Sequence, residues 1–338
     1  MSAIEEVGSQ APAVEAVPKR AMTLSSGTAF VVVLLLLVVP LFVKNFIIFQ
    51  MTMLLIYGLA VLALNILTGG SGQFSLGQSA FYAVGAYTSA ILMEQYNINY
   101  ALTLPVAGVV CFGFGFLFGQ PALRLSGVYL ALATFALATA MPQILKLGFF
   151  EHWTGGVQGL VVTKPDAPFG LPMSQDMWLY YFTLAITIAI YIFSVNLLRS
   201  RSGRAFMAIR DNEIAASAMG IDVATYKTLA FGVSAGITGV AGGLGAIAVQ
   251  FVAPDSYTIV LAISLFLGMV VGGVGWLPGS FIGAAFIIFV PNIAEGISKG
   301  LSGAVFGVLL FLIIFLVPHG ARQVAMVAQQ LLSKVRKT

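Results

Sequence analysis

Few side chains in this chain of 338 residues are suited to making or breaking covalent bonds. There are two histidines, His152 and His319, and one cysteine, Cys111, set in an apolar run. A lone thiol excludes an intrachain disulfide and a thiolate metal site, so Cys111 is expected to pack as a small hydrophobe. No G-x-x-x-x-G-K-[ST] loop is present to cradle phosphates. No carboxylate pair falls within an apolar run, where a proton- or sodium-driven carrier usually places an ionisable residue; neutral oxygens remain able to hold sodium. No nucleophile stands with a base, and an enzyme is not indicated.

The polar residues that do cluster are suited to capping and recognition. They lie in residues 199–226, RSRSGRAFMAIRDNEIAASAMGIDVATY, the longest polar interruption with a helical grammar. Gly203 and Arg204 open a first helical run that continues to Ile209. Asp211 or Asn212 can cap a second helix through a side-chain oxygen, and Glu213 sits where the helix dipole favours an acid. Ile214, Ala215, Ala216, Ala218 and Met219 fill about two turns, roughly 10 Å at ~1.5 Å per residue. Gly220 suits the left-handed position that ends a helix, and Asp222 can cap the helix that follows. A short helix of small side chains can enter a groove on another protein. The segment is therefore expected to lie on the cytoplasmic face, with Arg210–Gly220 receiving force from a partner; a plain amphipathic connector on the membrane surface is the alternative.

The elements that would position such a segment are membrane spans. The chain is 59% hydrophobic and 8% charged, against about 25% charged for a soluble domain. Its mean hydropathy of +0.99 marks a polytopic membrane protein. The net charge of +4 does not suggest nucleic acid; the expected surroundings are membrane lipids. Apolar runs long enough for a span of about 20 residues fall near 28–48, 50–67, 75–93, 101–119, 125–147, 177–198, 228–251, 256–275, 277–297 and 303–318. The expected fold is all-α, with about ten transmembrane helices, some interrupted by glycine. Basic residues flank cytoplasmic ends. Lys19-Arg20, Arg124, the stretch holding Arg199, Arg201, Arg204, Arg210 and Lys227, and the tail with Arg322, Lys334, Arg336 and Lys337 then all fall inside. An even span count places both termini in the cytoplasm and puts residues 148–176, with Glu151, Asp166 and Asp176, outside. The two histidines then lie on opposite sides. Residues 1–27 read as a disordered tail followed by a retained first span, and 321–338 as a second cytoplasmic tail.

Two glycine-rich breaks interrupt the runs. The first is NILTGGSGQFSLGQ at 65–78. Gly69, Gly70, Gly72 and Gly77 each weaken a straight helix by about 1 kcal/mol relative to alanine. Unpaired backbone at membrane depth survives only where protein or a water-filled cavity covers it. Either a re-entrant segment beside the translocation path or a tight surface turn fits. In the first case Asn65, Gln73, Ser75 and Gln78, with Phe81 nearby, offer uncharged contacts. Thr134 and Thr139 either line a path or bond back to their own helix, the commoner outcome. TGGSGQFS superficially resembles the glycine signature of transport ATPases, but its apolar flanks leave no room for a nucleotide fold. The second break is GMVVGGVGWLPGSFIGAAF at 268–286; one break in each half fits transporters built from paired repeats. Gly239 and Gly243 form a small-xxx-small pair that predicts close helix packing. The outer loop is expected to be irregular, with a short helix, and to offer a docking surface; His152 reads as a solvated residue of it. Glu295 and Lys299 are spaced to pair along a helix.

Four stretches together carry a family resemblance: 69–92, GGSGQFSLGQSAFYAVGAYTSAIL; 124–138, RLSGVYLALATFALA; 203–244, GRAFMAIRDNEIAASAMGIDVATYKTLAFGVSAGITGVAGGL; and 268–286. The chain resembles the LivM-like integral-membrane permease subunits of branched-chain amino-acid ABC importers, over roughly residues 28–320. The third stretch is the most specific. The resemblance implies a heterodimer with a related permease in the bacterial inner membrane, two cytoplasmic ATPase subunits that hold the ATP and magnesium, and a periplasmic substrate-binding protein. It implies no cofactor or metal in this chain, and ATPase docking at Asp211–Gly220. Family members often carry histidine where this chain has Gln78. Related permeases serve urea, short amides and aromatic acids. A stand-alone carrier or channel, or a membrane scaffold, are the other classes the sequence leaves open.

Overall fold

The computed structural model describes residues 26–122, 127–167, 173–297 and 307. Its helices are α1 (Ser26–Val38), α2 (Asn45–Asn65), α3 (Gln78–Glu94), α4 (Tyr100–Ala122), α5 (Val128–Leu145), α6 (Gly148–Thr154), α7 (Gln175–Arg199), α8 (Arg201–Asp211), α9 (Glu213–Ala218), α10 (Val223–Val249), α11 (Ile259–Gly272) and α12 (Gly279–Ile297). Both expected tails, apart from the first residues of α1, lie outside the described residues. So do Arg124, His319, Lys299 of the expected Glu295–Lys299 pair and, apart from Gly307, the 303–318 span.

The bundle is built around α10. Its glycine face lets neighbouring backbones approach closer than any Cβ would permit. A Cβ at Gly242 would lie 2.1 Å from the Tyr82 carbonyl oxygen, and one at Gly239 would lie 2.4 Å from Cys111 Sγ. From the α3 side, a Cβ at Gly85 would meet the Gly239 carbonyl at 2.1 Å. Between helices in lipid the hydrophobic effect does little, so dense contact of this kind supplies the association. The small-xxx-small pair thus packs α3 and α4 onto α10, and Cys111 is buried with its thiol 3.4 Å from the Phe81 carbonyl.

Six described helical stretches are long and apolar enough to cross a membrane: Asn45–Gly70, Tyr100–Pro121, Val128–Leu145, Gln175–Arg199, Val223–Val249 and Pro254–Gly272. About ten were expected. Helices stand at each of the nine expected places that the described residues cover, but α1 has 13 residues and α3 has 17; α12 has 19. The first expected boundary also shifts. A 3₁₀ turn at Val39–Leu41 ends α1, with Pro40 buried in it, and α2 starts after Lys44 in extended conformation. Proline supplies the fixed φ for the turn and cannot continue the hydrogen-bond ladder.

At the end of the bundle away from α9, the fold departs from pure helix. The segment after α5 contains the expected short helix, α6, and then a two-residue strand β1 (Leu160–Val161) pairs antiparallel with β2 (Phe251–Val252) beyond α10. Lys146 and Asp255 form an ion pair of 2.6 Å there, and the Gln95 side chain donates to the carbonyls of His152 and Trp153. His152 itself is exposed.

Candidate functional site

Helices α8 and α9 form an elbow between α7 and α10. Ser200 caps α8, its hydroxyl accepting from the Gly203 amide at 3.4 Å, so this helix begins two residues before the expected Gly203. Asn212 caps α9, its side-chain oxygen accepting from the Ala215 amide at 2.9 Å. Gly220 follows with φ +80°, the left-handed conformation only glycine adopts without cost. Asp222 accepts from Thr225 through both its amide and its hydroxyl, at 3.2 and 2.6 Å. These bonds hold the Asp222 carboxyl below the usual carboxylate range. The cap is therefore intact above the unfolded carboxylate pKa of about 3.9, and is lost only as pH falls through the lower folded value.

The faces of α9 are unequal. Ile214 and Met219 are each 84% exposed, and Ala215 is exposed beside them, whereas Ala216 is 4% exposed and faces the body. Ala216 is therefore withdrawn from the surface that a partner would touch. Two ion pairs fix the elbow's inner side: Lys227 with Glu213 at 2.6 Å, and Arg210 with Asp211 at 2.8 Å. Exposed pairs contribute only about 0–1 kcal/mol each, so their effect is orientation more than stability. Between the elbow and the first glycine break lies a cavity of 260 Å³, lined in part by Gly72, Gln73, Arg210, Asp211, Glu213 and Lys227.

The break is ordered and satisfied. Helix α2 widens into a π-helical turn at Ile66–Gly70 before the chain turns back to α3. Asn65 is buried at the start of that turn, and its amide reaches the second break. Its Nδ2 donates to the carbonyls of Gly273 and Trp276 at 3.3 and 3.0 Å and to the Ser280 hydroxyl at 3.2 Å; its Oδ1 accepts from the Gly275 amide at 2.7 Å. A Cβ at Gly69 would lie 2.5 Å from the Gly275 nitrogen. The two glycine-rich breaks, some two hundred residues apart, are thus one junction.

The other expected path residues bond to the protein in this conformation. Gln73 donates to Ser71 Oγ and to the Lys227 carbonyl at 2.9 and 3.1 Å. Gln78 donates to Ser234 at 3.0 Å and accepts from Thr238 at 2.7 Å. Ser75 accepts from the Gly77 amide at 3.2 Å. Thr134 donates to Ala131 on its own helix and also accepts from the Leu76 amide at 2.9 Å, which ties the break to α5. Thr139 bonds only to its own helix, at Phe135 and Ala136. Phe81 is buried edge-on between Phe114 and Phe231. Sequence reasoning missed Ser234, Thr238 and Ser280 as partners of these amides. A polar residue in an otherwise apolar helix was the available signal, but it does not name its partner.

Gly72 has φ +74°, and a Cβ there would lie 3.0 Å from the Arg210 Cγ. Gly72→Val is expected to combine backbone strain of roughly 1–2 kcal/mol with collision against the elbow. If the break flanks a transport path, as expected from the sequence, uptake should fall about tenfold or more while a partner docked on the exposed face of α9 would stay bound. Paired uptake and co-purification assays check this; unchanged uptake would favour a plain surface turn.

The chain is thus a polytopic helical membrane protein with a capped, solvent-facing elbow joined to a buried junction of two broken segments. A model of the family described as branched-chain amino acid transport system / permease component matches residues 46–317, and the chain belongs to that family. It is 35% identical over 247 residues to the high-affinity branched-chain amino acid transport system permease protein LivM of Salmonella typhimurium, covering 66% of this chain and 58% of that protein. The Escherichia coli K12 protein of the same name is 34% identical over 271 residues, 73% of this chain and 63% of that one. The matches thus span less than two thirds of these relatives' length. The autoinducer 2 import system permease protein LsrC of Escherichia coli O157:H7 is 29% identical over 262 residues, 75% and 72% of the two chains. No solved structure matches the chain at a significant level.

Proposed function

We propose that this chain is one of two related permease subunits of an ATP-driven importer in the bacterial inner membrane, and that it forms half of the path for branched-chain or other hydrophobic amino acids. The elbow faces the cytoplasm and carries Asp211, Asn212, Glu213, Ile214, Ala215, Met219 and Gly220 against an ATPase. Two such ATPases hold ATP and magnesium, and a periplasmic binding protein delivers solute at the end bearing α6 and the β1–β2 pair. Both termini are cytoplasmic in this reading. The observation that carries it is the elbow: a short helix capped at its start, stopped by a left-handed glycine, and presenting Ile214 and Met219 almost bare to solvent. Large apolar side chains left exposed together on a polar segment suit contact with a protein or a membrane surface, and here they support the protein contact. The similarity to LivM proteins supports the solute class. The similarity to LsrC, named for autoinducer 2 import, supports a second reading, the same architecture importing a solute other than a branched-chain amino acid; urea, a short amide or an aromatic acid are the candidates implied by the sequence resemblance.

Reconstitution tests the assignment. Labelled leucine should enter proteoliposomes only when this chain is combined with its permease partner, the ATPases, the binding protein and ATP. Leucine flux through the chain alone would instead establish a secondary carrier or channel.

A further inference from the structure

We infer that Arg210 is a positioning residue that transmits movement of α9 to the junction of the two glycine breaks, an inference that rests on the reading of α9 as the ATPase contact. Its side chain turns inward, away from the docking face. Nη1 donates to the Gly69 carbonyl at 2.8 Å, while Nε and Nη2 both grip Asp211 Oδ1, at 3.0 and 2.8 Å. The last carbonyls of a helix have no partner within it and form the negative end of its dipole. In the π-helical turn that ends α2, the Leu67 and Thr68 carbonyls are taken by the amides of Ser71, Gly72 and Gln73. Arg210 supplies the bond to Gly69 from another element and places a cation where the dipole favours one.

The contact continues in both directions. Gly69 lies against Gly275, and Asn65 ties the same turn to Gly273, Gly275, Trp276 and Ser280. The Arg210 stem lies along Gly72, where a Cβ would come within 3.3 Å of the Arg210 Cα. On the other side, Asn212 caps α9 two residues after Arg210. A shift or rotation of α9 therefore pulls through a planar, doubly anchored fork on the end of α2 and on the turn between α11 and α12. Lysine, a single charged point on a flexible stem, cannot hold Asp211 and Gly69 in two fixed directions at once.

The test measures solute moved per ATP hydrolysed in the fully assembled, reconstituted transporter. Arg210→Gln should retain the ATPases on purification but lower that ratio roughly tenfold, with Arg210→Lys intermediate. Asp211→Asn leaves Arg210 in place but frees its orientation, and should lower the ratio less with the ATPases retained, since Asp211 also borders the docking face; it keeps the inference testable if Arg210→Gln does not fold, and loss of ATPases from it overturns the inference. An unchanged ratio in Arg210→Gln, or in Asp211→Asn when that variant alone folds, overturns the transmission role while leaving α9 docking intact. Loss of ATPases from a folded Arg210→Gln protein also overturns it, because Arg210 would then be a docking contact. A wild-type assembly that never retains ATPases defeats the underlying reading instead.

Discussion

Ala215→Arg is expected to strip the ATPases from the purified complex and to reduce ATP-driven uptake about a hundredfold or more, the scale of a lost interface hot spot of roughly 3 kcal/mol. Ala215 is exposed beside Ile214 and Met219 on a helix of six residues, and its amide is already used by the Asn212 cap. Arginine there adds bulk and charge to the face proposed to enter a groove, without disturbing the cap. The permease should keep its melting temperature, because the side chain points to solvent. Arginine at Ala216 is a different experiment: that side chain is turned into the body, so the variant would unseat α9 from its own chain. Loss of ATPase binding with retained stability at 215 supports the docking face; normal binding refutes it.

Asn65→Leu is expected to abolish uptake while ATPases remain bound, and to lower the melting temperature in detergent. The substitution keeps the branching and number of heavy atoms but removes every bond Asn65 makes to the second break. It strands the Gly275 amide, at roughly 1–3 kcal/mol for a buried group left unsatisfied, while the Gly273 and Trp276 carbonyls keep the amides of Trp276 and Gly279 as donors. Backbone of this kind is tolerated at membrane depth only where protein or a water-filled cavity covers it, and here protein supplies the partner. Thr134→Val provides the graded comparison, since it removes one bond between elements, to the Leu76 amide, where Asn65→Leu removes four; the Thr134 bond to Ala131 is local. Equal, mild effects from both variants would show that the junction is not the element on which transport depends.

How far the sequence disclosed these features follows from the range of the interactions. The elbow was legible because its signals are local: Asn212 three residues before the amide it caps, Asp222 likewise, and Gly220 at its left-handed stop. Close packing on Gly239 was legible for the same reason. The inward face of Ala216 was not, because six residues are too few for a helical period to separate faces. Hydropathy also hid the turn at Pro40, since an apolar run reads the same through a 3₁₀ turn as through a helix. Among the described residues it also drew α1 and α3 as full spans, where helices of 13 and 17 residues stand. The Asn65 junction, the Gln78–Ser234–Thr238 group and the β1–β2 pair join positions far apart in the chain, and no local pattern identifies such partners.

The most direct measurement uses Ile214→Cys, since Cys111 is buried and leaves the new thiol as the reactive one. In the assembled transporter a short bifunctional thiol reagent should join position 214 to a cysteine placed in the ATPase surface groove, and bound ATPase should shield it from a water-soluble maleimide. If position 214 reacts with maleimide as fast with the ATPases present as without them, and never cross-links, α9 is not the contact through which this permease is driven.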